Sequence, residues 1–90
     1  MSINYPLDDI ERYGSTRLTI EQISIILEVD EKKLQKEFDK KGDLYRAYQK
    51  GYLMTEIKIR EQIILLAESG STPAQNLYYE KISKNSYDEL

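Results

Sequence analysis

Apolar residues recur three and four positions apart in five successive blocks, each followed by helix-stopping residues, and this predicts an all-α chain. Tyr5-Pro6 sets an extended lead-in, and Pro6 opens a short helix through Leu7, Ile10 and Tyr13 that stops near Gly14-Ser15. Thr19-Ile20-Glu21-Gln22 reads as a capping box, with the threonine hydroxyl accepting from the Gln22 N–H and the glutamine side chain accepting from the Thr19 N–H. Ile20, Ile23, Ile26 and Leu27 follow at helical spacing, so the second helix covers about 19 to 28. Asp30 is the next good N-cap. Its helix has apolar positions only at Leu34 and Phe38, a narrow buried stripe beside a wide wet face.

Lys41-Gly42 ends this third helix, with glycine expected in the left-handed conformation, and Asp43 is expected to cap the fourth. A long helix then covers about 43 to 69, a rod of roughly 39 Å, interrupted in its pattern only by Gly51, which costs about 1 kcal/mol relative to alanine. Tyr45, Tyr48, Tyr52, Ile59, Ile63 and Leu66 form a continuous seam along it, and Leu44, Leu53, Ile57 and Ile64 form a second stripe. Gly70 closes the rod. Thr72 is expected as the N-cap of a short C-terminal helix over about 72 to 83, with Pro73 at its first position and Gln75 three residues on, before a polar tail from Ser83 to Leu90. With no Pro/Gly-rich linker or internal repeat, residues 1–90 read as one helical domain.

Residues 20–39 fit the helix-turn-helix pattern, in which two helices joined by a tight turn expose the second to the DNA major groove. Ile23, Leu27, Val29 and Leu34 take the slots that hold the two helices together, and Ser24 takes the slot where a small side chain admits the second helix. Glu28 stands where glycine commonly makes the turn, so that turn is expected from an ordinary backbone. The region as a whole, about 19–42, offers Lys32, Lys33, Gln35, Lys36, Lys40 and Lys41 as DNA-binding residues. The lysines suit phosphates as point charges, and the Gln35 amide has the geometry to pair with an adenine edge. A solvated helix face is the competing reading of the same residues.

Charge changes the picture. Thirteen basic against sixteen acidic residues give net −3, and residues 19–42 hold five basic and six acidic groups, so any positive surface must come from geometry. Cysteine and histidine are absent, which removes disulfides, thiol nucleophiles, imidazole bases and nearly every zinc arrangement. The neighbouring carboxylates Asp8-Asp9 and Asp88-Glu89 do not converge on a helix, no loop has calcium-binding spacing and no glycine-rich phosphate loop occurs. The expectation is a protein without catalysis, metal or cofactor. The longest apolar run, Ile63 to Ala67, is far too short to cross a bilayer, and the N-terminus lacks a signal-peptide layout, which together point to a soluble cytoplasmic protein.

Eight of the nine aromatic residues are tyrosines, which suit half-wet surfaces between packed bodies, since a buried hydroxyl needs a partner. Tyr45, Tyr48, Tyr52, Ile59, Ile63 and Leu66 are therefore the expected oligomerisation residues, against the plainer reading that the tyrosines cover a small core.

The order of parts resembles the small terminase subunits of tailed bacteriophages and prophages. The likeness rests on the short first helix ending in Tyr13-Gly14-Ser15, the helix-turn-helix from Leu18 to Phe38, the stretch Arg46-Ala47-Tyr48-Gln49-Lys50-Gly51, and the turn Ser69-Gly70-Ser71-Thr72-Pro73-Ala74-Gln75. The resemblance covers about residues 8–82. It implies a DNA-binding element, assembly into multimers through later helices, and presentation of double-stranded viral DNA to a separate large subunit that carries the ATPase and nuclease, in the bacterial host cytoplasm. On this basis helix 3, with Lys32, Lys33, Gln35 and Lys36, corresponds to the DNA-facing element and the long helix to the assembly element. DNA binding is expected to be weak in the monomer and to gain from avidity in a homo-oligomer. Two other readings stand beside it: a dimeric helix-turn-helix transcriptional regulator, and a protein-interaction module that does not bind DNA.

Overall fold

The computed structural model describes residues 4–83, and every regular element among them is helical. Helices α1 (Leu7–Ser15), α2 (Ile20–Leu27), α3 (Glu31–Asp39), α4 (Asp43–Glu68) and α5 (Thr72–Tyr78) follow in order, and a π-helical turn, Tyr79–Ser83, continues from α5. The polar tail expected after Ser83 lies outside the described residues. Where the sequence reads as one domain, the packing gathers into two compact units, Met1–Thr55 and Glu56–Leu90, and α4 contributes its first half to one and its second half to the other.

The first unit has a core of Ile10 and Tyr13 from α1, Ile23 from α2, Leu34 and Phe38 from α3, and Leu44 from α4. Ile10, Ile23 and Leu34 are wholly removed from solvent, each worth about 1.5–3 kcal/mol by burial. Leu18, Leu27, Val29, Tyr45 and Tyr48 pack around them. The two apolar residues of α3 are thus both spent on the core, and the rest of that helix is turned to water.

The contact between α1 and α4 depends on two glycines. A Cβ on Gly14 would overlap the Tyr48 carbonyl, and one on Gly51 would overlap the Glu11 carbonyl while lying 2.9 Å from Ser15 N. Gly51, whose place in a helix looks like a pure cost from sequence, is therefore a buried point of main-chain approach. Thr55 Oγ1 adds a hydrogen bond of 2.7 Å to the Ser15 carbonyl at the end of the same contact.

Local start and stop signals explain most helix ends. The capping box at Thr19 forms as its sequence predicts, with Gln22 N–H donating to Thr19 Oγ1 at 3.1 Å and Thr19 N–H donating to Gln22 Oε1 at 2.9 Å. Asp30 caps α3 by accepting from Lys33 N–H at 3.1 Å. Three expectations shift. Lys41, with φ 54°, holds the left-handed position after α3 in place of Gly42. Asp43 is the first residue of α4 and not the residue before it. Ser71 caps α5 by accepting from Ala74 N–H at 3.4 Å, which moves Thr72 into the helix.

The second unit is much thinner. Among its described residues only Ile63 and Ala74 are buried apolar side chains, and the Gln75 side chain ties α5 to α4 by donating to the Ala67 carbonyl at 3.2 Å. Arg60 and Glu56 pair at 3.4 Å along α4. Among the described residues no helix is long and apolar enough to cross a membrane.

Candidate nucleic-acid interface

Three residues, Glu28 to Asp30, join α2 to α3, and their conformation fixes where α3 points. Glu28 adopts the left-handed conformation at φ 55°, its N–H bonds the Ile25 carbonyl at 3.3 Å, and the Val29 N–H bonds the Ser24 carbonyl at 3.0 Å. This pair of bonds is a Schellman turn, which usually puts glycine at the left-handed position. The turn is therefore made by a strained glutamate, and not by the ordinary backbone that the absence of glycine suggested. Ser24 is buried, and its hydroxyl turns back to the Glu21 carbonyl at 2.7 Å, so no polar group is left facing the helix above it.

With Leu34 and Phe38 facing inward, the opposite side of α3 faces water. At about 100° per residue, Lys32, Lys36, Lys40 and Lys33 fall in one arc of roughly 100° centred opposite the two core residues. Glu37 and Asp39 fall outside that arc, on its margins, and Glu31 falls nearer the core side of the helix. Thus a segment with a net negative count still turns a basic stripe outward. All six residues singled out from sequence, Lys32, Lys33, Gln35, Lys36, Lys40 and Lys41, are exposed.

Their partners differ. Among the described residues Lys32, Lys33 and Lys36 make no ion pair, whereas Lys40 reaches Glu37 at 2.8 Å. That pair is exposed, and such pairs contribute little and exchange readily. Gln35 donates through Nε2 to Asp39 Oδ1 at 2.9 Å, so its amide is engaged along the helix and must let go before it meets a base edge. Lys41 lies past the end of α3, in its left-handed turn, and not on the stripe.

The seam read along the long helix is divided by the fold. Tyr45 and Tyr48 pack against the core of the first unit. The Tyr48 hydroxyl donates to the Leu18 carbonyl at 2.8 Å, and its ring meets Phe38 edge-on with centroids 5.5 Å apart. Burial raises its pKa above the usual phenol value, the neighbouring Tyr52 adds to the rise and Arg17 opposes it. Tyr52 lies under the Arg17 guanidinium, 4.4 Å from ring centroid to Cζ. In the second unit Ile63 is buried, whereas Ile59 and Leu66 stay exposed. Sequence reasoning missed the paired glycines and the outward Ile25 of α2, whose departure from the Ile20–Ile23–Ile26–Leu27 stripe was the available signal; Ile26, counted in that stripe, is itself exposed.

Beside the foot of α3, Asn4, Tyr5, Leu7, Glu37, Asp43 and Leu44 line a groove of about 270 Å³. The Tyr5 phenol there has a raised pKa, chiefly from burial and then from Glu37.

Compared with protein families, curated proteins and solved structures, the chain matches none.

Proposed function

We propose that this chain is a non-enzymatic DNA-recognition and assembly protein, a packaging component of the small-terminase kind that presents double-stranded DNA to a partner motor subunit. The observation that carries the reading is the outward stripe of Lys32, Lys33, Lys36 and Lys40, held away from the core by the inward-facing Leu34 and Phe38. Phosphates are met by point charges on an exposed helix, and among the described residues three of these lysines have no carboxylate to give up first. The motif slots at Ile23, Ser24, Leu27, Val29 and Leu34 support the same reading, since these residues are buried or half-buried where the two helices meet. The packaging role adds the sequence resemblance to this and rests on it.

The test is fluorescence anisotropy with a labelled duplex at low ionic strength. Binding that weakens steeply with salt is expected, and the Lys32→Ala, Lys33→Ala, Lys36→Ala triple variant is expected to bind at least tenfold more weakly with unchanged helicity. Because each phosphate contact contributes about −0.9 to the slope of log K against log salt, the slope should flatten by up to about 3. An unchanged affinity in the triple variant overturns the assignment of this face.

A further inference from the structure

We infer that Tyr5 is a positioning residue for the DNA interface: its buried hydroxyl takes the Glu37 carboxylate when Lys40 leaves that carboxylate for a phosphate. The inference rests on the proposed DNA reading and names how one lysine of the stripe is held and released.

The Tyr5 ring packs against the core of the first unit, and its hydroxyl is buried there without a hydrogen-bond partner. Among the described residues no other buried side-chain polar atom is left in this way. A polar group hidden from water and unpaired destabilises the fold until a partner reaches it.

The partner is at hand beside the foot of α3. Tyr5 and Glu37 line the same groove of about 270 Å³. Burial raises the Tyr5 pKa, the Glu37 charge adds to the rise and Lys40 opposes it, so both charges are felt at the hydroxyl and the phenol keeps a proton to donate. Asp43, the other carboxylate of the groove, lies in the first turn of α4, where the end of the helix favours a negative charge. Glu37 is therefore the acceptor suited to the hydroxyl. Lys40 holds it elsewhere, with Nζ 2.8 Å from Glu37 Oε1.

Without a duplex, Lys40 has Glu37 and Tyr5 has no partner. With a phosphate on Lys40, the lysine keeps an anionic partner, Glu37 turns into the groove and accepts from the phenol, and none of the three groups stands alone. The Lys40–Glu37 pair is exposed and contributes little, so losing it matters less than gaining a buried hydrogen bond to a charged acceptor. By linkage, DNA and the packing of Tyr5 then strengthen each other.

Two double-substitution cycles test this, the first without DNA. In urea denaturation of the free chain, Tyr5→Phe is expected to leave the midpoint unchanged or raise it, because the hydroxyl it removes has no partner. In a Lys40→Ala background Glu37 is already free to accept from Tyr5, and there Tyr5→Phe is expected to lower the midpoint. The second cycle uses anisotropy with a labelled duplex. Tyr5→Phe is expected to weaken binding about fivefold, the usual net effect of one hydrogen bond, and to change it less than about twofold in a Glu37→Ala background, where no acceptor remains. Phenylalanine keeps the ring in place, so a merely structural role for Tyr5 does not distinguish these backgrounds, and circular dichroism checks that helicity is retained.

A Tyr5→Phe effect on the midpoint that is the same with and without Lys40, or an effect on affinity that is the same with and without Glu37, overturns the inference while leaving the DNA reading in place. A chain that binds no duplex in any variant overturns the DNA reading and this role with it, and the free-chain cycle then reports separately whether Tyr5 and Lys40 compete for Glu37.

Discussion

Gly14 of α1 and Gly51 of α4 bring two helices into main-chain contact, each lying against a carbonyl of the other helix, Tyr48 for the first and Glu11 for the second. Side chains cannot yield at this point, since the atoms a methyl group would meet belong to backbone. Gly51→Ala and Gly14→Ala are each expected to destabilise the first unit by about 2 kcal/mol, the cost of forcing the helices apart exceeding the ~1 kcal/mol that alanine gains in helix propensity. Urea denaturation followed by circular dichroism measures this. Gly42, which has open space around it, is the control, and its alanine variant should lose no more than about 1 kcal/mol.

Glu28 holds the turn between α2 and α3 at φ 55°, a conformation that costs a residue with a Cβ about 1 kcal/mol and glycine much less. Glu28→Gly is therefore expected to raise stability by up to about 0.5 kcal/mol, after allowing for the greater freedom of glycine in the unfolded chain. A lower denaturation midpoint would mean that the glutamate side chain contributes more than the strain removes.

Tyr48 joins α4 to the α1–α2 connection through its hydroxyl. Tyr48→Phe is expected to cost about 1 kcal/mol, the usual net worth of such a bond. Its raised pKa has a further consequence: the folded state favours the neutral phenol, so its contribution is whole below the ordinary tyrosine value of 10.0 and falls as pH rises from there through the folded value. Denaturation midpoints from pH 9 upward should drop more steeply for the unsubstituted chain than for Tyr48→Phe. Equal slopes would show that Tyr48 is not the responsible group.

Asp39 both neighbours the basic stripe and holds the Gln35 amide. Asp39→Ala removes a repelling charge and frees the amide, and duplex affinity is expected to tighten about threefold, under 1 kcal/mol. Anisotropy at fixed salt decides it, and a loss of affinity would place Gln35 and Asp39 together in a role that the stripe does not explain.

The exposed lysines were legible in the sequence because the only apolar residues of α3, Leu34 and Phe38, stand four apart and leave one orientation for the helix. The stripe's separation from its carboxylates follows from the same periodicity, once the buried face is known. The seam along the long helix was not legible in this way. Spacing shows that Tyr45, Tyr48, Tyr52, Ile59, Ile63 and Leu66 share a side, but not that Tyr45 and Tyr48 would pack against the core of the first unit while Leu66 stayed exposed.

By itself, then, the sequence determined the order of the helices, the box at Thr19, the cap at Asp30 and the inward stripe of α3, because each depends on groups three or four residues apart. The tertiary structure alone decided that Gly51 serves as a contact surface, that Tyr48 reaches Leu18 thirty residues away, and that Ile57, Leu65 and Leu66 of the second unit stay exposed. Those outcomes depend on which helix faces meet, and distant segments settle that through packing that no local pattern encodes.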